Sequence, residues 1–257
     1  MDKIKVLSSK GKVQLHSIIK LNLKKVIVLA GSWNGKEVIV KWSRHNKKET
    51  KIYKHLAEKG CPTIKIYTGF KMYIEDCSDG PERSVLVMDK LSLLDKGRED
   101  PFELGLDILY QLKFIHKFCV HSGIKPDNIL KNTNGRSTSF ESGYKFFSHP
   151  GYSEVSDSIM SKGRECRYIL MDFGSVSDEK GKRGGYYRHS WPVGWSSQDR
   201  KEKGQEAYPF HDYVELGTTL IFLSRNDKEK RKMKKFRDLV FEGAKNRDLR
   251  KFLESGL

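Results

Sequence analysis

Four short segments carry side chains whose types could manage charge: VIVK (38–41), a helical Glu49, HSGIKPDN (121–128) and MDFG (171–174). Each alone says little. A D-F-G tripeptide arises by chance, and V-I-V-K describes many buried strands. Their order and placement say more: a strand, a helix, a loop after a long helix, and the end of another strand. The cysteines (Cys61, Cys77, Cys119, Cys166) lie at least sixteen positions apart. No pair has the spacing of a metal site, so they read as core thiols in a reducing compartment.

The elements that must position these residues fall into two groups. Residues 13–42 read as short strands, with an Asn34–Gly35 turn between β-branched runs predicting a hairpin. Residues 46–59 have helical spacing, with Ile52, Tyr53 and Leu56 on one face. Strands follow at 64–74 and 83–91. Beyond residue 92 the pattern turns helical. Asp100 and Pro101 open a helix over 101–118 whose stripe is Leu104, Ile108, Leu112, Ile115 and Phe118. Apolar runs at 128–130 and 167–173 flank a Ser/Gly/Asn-rich excursion at about 132–165, too long for an ordinary hairpin loop. Residues 174–209 read as loop, 211–224 as a buried helix, and 227–254 as a basic amphipathic helix or helix pair bearing Met233, Phe236, Leu239, Val240, Phe252 and Leu253. The expected organisation is a β-rich part, 1–91, followed by a helical part, 92–257.

Composition bounds the class. The chain has 257 residues, 37% of them hydrophobic, enough for a core, and no apolar run long enough to span a membrane. The first residues lack a signal-peptide pattern, so a cytoplasmic or nuclear location is expected. The net charge of +16 is concentrated at the ends. Residues 1–60 carry 15 Lys/Arg against 4 Asp/Glu, residues 225–257 carry 12 against 6, and the middle is nearly balanced. Such ends would attract a polyanion, nucleic acid included.

Taken in order, the four segments resemble the protein-kinase fold, an α+β bilobal architecture, over about residues 15–224. The I-K-P-D-N form of the loop resembles the Ser/Thr branch, and the general look is similar to casein-kinase-1 and vaccinia-related kinases. The compact size and pared-down helical part suit a viral or parasite-encoded relative. The resemblance implies ATP and Mg²⁺ as ligands. Lys41 would meet the α- and β-phosphates and pair with Glu49. Asn128 and Asp172 would hold Mg²⁺, and Lys125 would approach the γ-phosphate. Ile39 and Leu130 would flank the adenine, with Met88 at the back of the pocket before a hinge at Asp89–Leu91. His121, Phe173 and Tyr53 would belong to a hydrophobic stack, and Asp212 would tie the catalytic loop from below.

Three departures stand against an ordinary kinase. The H-R-D triplet reads His121-Ser122-Gly123, so Gly123 occupies the position of the catalytic aspartate and can neither accept a proton nor orient a hydroxyl. No catalytic residue is then intact, although Lys125 is retained. Asp127 does not substitute, because its position in the motif points away. The glycine-rich loop is replaced by Lys20-Leu21-Asn22-Leu23-Lys24-Lys25, where glycines would let the backbone approach phosphates. Ser122 stands where an arginine would read activation-loop phosphorylation. Ile39 also crowds the adenine site, and residues 194–203 lack an A-P-E segment. The expectation is a pseudokinase that works by binding another protein, a kinase or a kinase substrate, as decoy, scaffold or allosteric regulator, with ATP and Mg²⁺ binding retained, reduced or lost. The alternative is an active or weakly active Ser/Thr kinase with a non-standard catalytic loop.

Overall fold

The computed structural model describes residues 5–8, 11–22, 26–43, 46–72, 83–117, 119–133, 165–178 and 209–245. The chain divides into two compact units, one of Met1–Glu58 and Thr63–Leu91, the other of Lys59–Pro62 and Ser92–Leu257.

In the first unit, β1 (Lys5–Ser8), β2 (Gly11–Asn22), β3 (Val26–Trp33), β4 (Lys36–Ser43), β5 (Ile66–Met72) and β6 (Arg83–Asp89) form one antiparallel sheet in the order β1-β2-β3-β4-β6-β5. Asn34 and Gly35 join β3 to β4 with φ of 49° and 84°, the paired left-handed residues that a type I′ hairpin turn demands. Pairing of β2 with β3 runs to Asn22↔Val26, with two register irregularities along the way, which bend the longer strand around its neighbour.

Alternation along β4 sends its side chains to two different environments. Val38, Val40 and Trp42 join Val13, Ile27, Trp33, Val85 and Val87 in one apolar cluster. Ile39 and Lys41 face the other way, in register with Met88 and Leu86. There α1 (Asn46–Glu58) packs on β4, β5 and β6. Asn46 fixes that helix, its buried Nδ2 donating to the carbonyls of Lys41 and Ser84. With both faces buried, the strand reads as an almost unbroken apolar run.

In the second unit, Asp100 caps α2 (Pro101–Ile115), its carboxylate accepting from the N–H groups of Phe102 and Glu103 at 2.9 and 3.1 Å. The single buried stripe is corrected: every residue from Pro101 to Leu112 is buried, polar ones included. The same unit holds β7 (Ser92–Leu93), β8 (Cys119–Val120), β9 (Ile129–Lys131), β10 (Tyr168–Leu170) and β11 (Ser177–Asp178), paired as β10-β9-β7 and β11-β8, with β10 packed on α2. The last elements are α3 (Pro209–Leu223) and α4 (Asp227–Lys245), packed on each other. They approach closely at Gly217, where a Cβ would stand 2.7 Å from Arg237 Cβ. Among the described residues no helix is long and apolar enough to cross a membrane.

Strand β1 and the two-residue strands had no counterpart in the sequence reading. Such short segments are strands only because a distant partner pairs with them. The expectations for residues 23–25, Cys77, Phe118, residues 134–164 of the excursion, 179–208, Phe252 and Leu253 lie outside the described residues, as do those for the side chains of Leu21, Leu239 and Val240.

Candidate functional site

Lys41, Glu49, Ile39, Met88 and Asp89 belong to the first unit. Gly123, Lys125, Asn128, Leu130 and Asp172 belong to the second.

In the first unit, Lys41 Nζ donates to Glu49 Oε2 at 2.8 Å, with the lysine 7% exposed and the glutamate fully buried. The pair forms because β4 turns Lys41 toward the helix side and the Asn46 anchor brings the first turn of α1 over it. Tyr53, one turn further on, donates to Glu49 Oε1 at 3.3 Å. A buried ammonium held this way is stiff and ready for an anion, since its stem has little freedom left to lose. Met88 is buried opposite the half-buried Ile39. Asp89 is engaged: its carboxylate accepts from Lys36 Nζ at 2.9 Å and from the Tyr67 hydroxyl.

In the second unit, α3 holds the loop that follows β8. Asp212 accepts from the N–H groups of His121 and Ser122 through its two oxygens, each at 2.8 Å, and from His116 Nε2 at 2.8 Å. Glu215 accepts from the Ile124 N–H at 2.8 Å, and the Thr219 hydroxyl donates to the Ile124 carbonyl at 3.1 Å. Asn128 Nδ2 donates to the Gly123 carbonyl at 2.8 Å. Burial alone would raise the Asp212 carboxyl. The hydrogen bonds and charge of His116 and the loop N–H groups outweigh it and hold that carboxyl below its usual value. Ser122 is kept at φ 56°, a left-handed conformation costly for a non-glycine residue.

Gly123 sits in the middle of this scaffold, and no backbone strain requires a glycine there. A Cβ would meet nothing nearer than Asn128 Nδ2 and His121 Nδ1, both at 3.6 Å, which is ordinary contact. The position therefore has room for a Cβ and carries none.

A second set of polar residues, on α2, positions Asp172. Asp107 accepts from the N–H groups of Arg167 and Tyr168 at 2.8 and 3.0 Å. Gln111 donates to the Tyr168 carbonyl at 2.7 Å and accepts from the Leu170 N–H at 2.9 Å. This side chain thus serves β10 as a neighbouring strand would. On the other side β10 pairs with β9, and Met171 N–H donates to the Asn128 carbonyl at 2.8 Å. Asn128 and Asp172 are thereby set at the same end of one small sheet, with Leu130 buried in its middle strand. Asp172 is left-handed, at φ 67° and ψ 66°. His121 links the two segments, its Nε2 bonding to the Met171 carbonyl at 3.1 Å and its ring meeting Phe173 edge to face at 4.9 Å.

Asp107, Gln111, Glu215 and Thr219 were missed in the sequence. The signal was there: polar residues at helical spacing (Glu103, Asp107, Gln111; Asp212, Glu215, Thr219) inside otherwise apolar helices.

The donor chemistry fits a hard cation. With Asn128 Nδ2 committed to Gly123, the carboxamide presents its oxygen, and Asp172 adds a carboxylate from the adjacent segment. Among the described residues no cluster of three or more His, Cys, Asp or Glu could hold a metal on its own. One carboxylate plus a carboxamide suits Mg²⁺ that arrives with phosphate oxygens and water as its remaining ligands.

No family model and no curated protein sequence matches the chain. Solved structures do match it. Vaccinia related kinase 3 is 12% identical, with 93% of this chain and 76% of that one covered and a TM-score of 0.55. The kinase PK-1 of Cydia pomonella granulovirus is 13% identical over 83% of this chain and 71% of its own, at a TM-score of 0.49. WaaP, in complex with acyl carrier protein, is 12% identical over 94% and 87%, at 0.48. The chain has a protein-kinase-like α+β fold.

Proposed function

We propose that this protein is a pseudokinase: it binds Mg-ATP weakly or in a non-transferring mode and acts by binding a second protein, a kinase or a kinase substrate, as decoy, scaffold or allosteric regulator. The observation that carries the reading is Gly123. Three side chains of α3 hold the loop backbone, yet the residue at the position of the hydroxyl-orienting carboxylate has no side chain, although a Cβ there would make only ordinary contacts. Loss of a general base typically costs about 10²–10⁴ in rate, and for a loose phosphoryl transition state the lost orientation adds to this.

The rest of the apparatus supports nucleotide binding. Lys41, braced by Glu49, offers a positive charge to phosphate oxygens, and Asn128 with Asp172 offers oxygen donors to Mg²⁺. That ion, when bound, neutralises phosphate charge. The same residues favour the second reading, a weakly active Ser/Thr kinase, and one experiment separates the two.

The full chain is titrated with ATP, with and without Mg²⁺, while thermal unfolding is followed. Phosphate incorporation into generic acceptors is measured in parallel against Lys41→Ala. Nucleotide at a hundred times its Kd should stabilise the protein by about 2.7 kcal/mol, with incorporation equal to the Lys41→Ala background. Incorporation clearly dependent on Lys41 in the parent would overturn the pseudokinase reading. On the pseudokinase reading Gly123→Asp should raise incorporation by about a hundredfold or more over the parent, since the Cβ site is clear. If Gly123→Asp binds nucleotide but stays at background, Gly123 is not the deciding deficiency.

A further inference from the structure

Helix α4 carries a row of cations that the fold itself does not use. Its buried side is Glu229, Met233 and Phe236. The opposite side exposes Lys230, Arg231, Lys234 and Lys235. Among the described residues the charged side chains of these four make no ion pair or hydrogen bond. The carboxylates that could have neutralised them are engaged elsewhere or stand at the ends of the row. Glu229 is turned inward and bound by Arg225 at 2.6 and 3.0 Å. Asp238 is held by Arg237 at 2.7 Å, and Asp227 stands at the helix start.

Local physics disfavours this arrangement. Lys230 and Lys234, and Arg231 and Lys235, are like charges four residues apart on one helix, so each pair repels. Lys230 and Arg231 also lie close to the start of the helix, where its dipole favours anions. Solubility alone would be served as well by alternating charges. A charge array that opposes its own helix is relieved when a polyanion lies along it.

We infer that this face of α4 docks the phosphate backbone of a nucleic-acid duplex. Two observations select the duplex. Met233 and Phe236 are 0% and 4% exposed, consumed by packing inside the unit, so the described side chains of α4 offer no apolar face to insert into a lipid surface. The described exposed face also carries no aromatic side chain on which unpaired bases could stack. What remains is sequence-independent electrostatic contact, which is strongest with the most densely charged partner, a duplex.

The test measures binding of the full chain to a labelled mixed-sequence DNA duplex, the matching single strand, and vesicles containing phosphatidylserine, over a KCl series. The variants are K230Q/R231Q/K234Q/K235Q and the charge-preserving K230R/K234R/K235R, each checked for parental thermal unfolding. With four phosphate contacts, log K should fall with log salt at a slope of about −3.6, so that affinity drops roughly a hundredfold between about 50 and 200 mM KCl. The glutamine variant should lose most of that slope and the arginine variant should keep it. Parental duplex affinity and slope in the glutamine variant, or no duplex binding at low salt, would overturn the assignment. So would vesicles or single strands that bind more tightly than the duplex through these four residues. Because α4 carries none of the residues proposed to bind nucleotide, either outcome leaves the pseudokinase reading to its own test.

Discussion

Asp212 is the most informative single residue to remove. It is fully buried and accepts three hydrogen bonds, two from loop N–H groups and one from His116, all at 2.8 Å. Asp212→Ala leaves those donors without an acceptor. A hydrogen bond to a charged group contributes about 1.5–3 kcal/mol. The three act as one unit and share a desolvation cost, so their sum overstates the loss; about 4 kcal/mol is expected. For a chain of this size that corresponds to a fall in Tm of roughly 8–16 °C. Asp212→Asn keeps one acceptor and should lose somewhat less. Urea unfolding followed by circular dichroism measures both. Ser122 supplies the companion test, because Asp212 holds it at φ 56° with its buried hydroxyl oxygen unpartnered. Ser122→Gly removes steric strain and an unsatisfied group, and should stabilise the protein by about 1 kcal/mol. If Asp212→Ala cost less than about 1 kcal/mol, or Ser122→Gly destabilised the chain, the claim that α3 forces the loop into its conformation would fail.

Burial pushes the His121 imidazole below its usual pKa of 6.5, against the opposing pull of Asp212 and Asp172. Above that pH both folded and unfolded chains are neutral at this residue. As the pH falls below about 6.5 only the unfolded chain takes up the proton, so stability should decline by up to about 1.4 kcal/mol per pH unit. His121→Asn should flatten the urea midpoint between about pH 6.5 and 5; an unchanged slope would remove His121 as its source. Gly217→Ala would force a Cβ to within 2.7 Å of Arg237 Cβ and 3.0 Å of its Cα. Overpacking should outweigh the gain in helix propensity and lower stability by about 1 kcal/mol, whereas a raised Tm would show that α4 can move aside.

Much of the fold was legible because it is encoded locally. The Asn34–Gly35 turn, the Asp100 cap and the β-branched runs declare themselves over a few residues, whatever surrounds them. The width of the buried surface on α2 was not legible. Glu103, Asp107 and Gln111 look like a solvent-facing side until one sees that Asp107 and Gln111 supply hydrogen bonds to β10. The same holds for Glu215 and Thr219 beneath the loop at 121–124. A polar residue inside a helix looks the same in sequence whether it meets water or a buried backbone.

The sequence by itself determined which chemical groups exist: an ammonium at Lys41, oxygen donors at Asn128 and Asp172, and no side chain at Gly123. Only the tertiary structure decided how they are held. It showed that Lys41 is braced by Glu49, that the loop hangs from Asp212, Glu215 and Thr219, and that a Cβ at Gly123 would meet no clash. Composition is fixed when the chain is made, but a hydrogen bond between residues ninety positions apart exists only once packing has met the entropic cost of bringing them together.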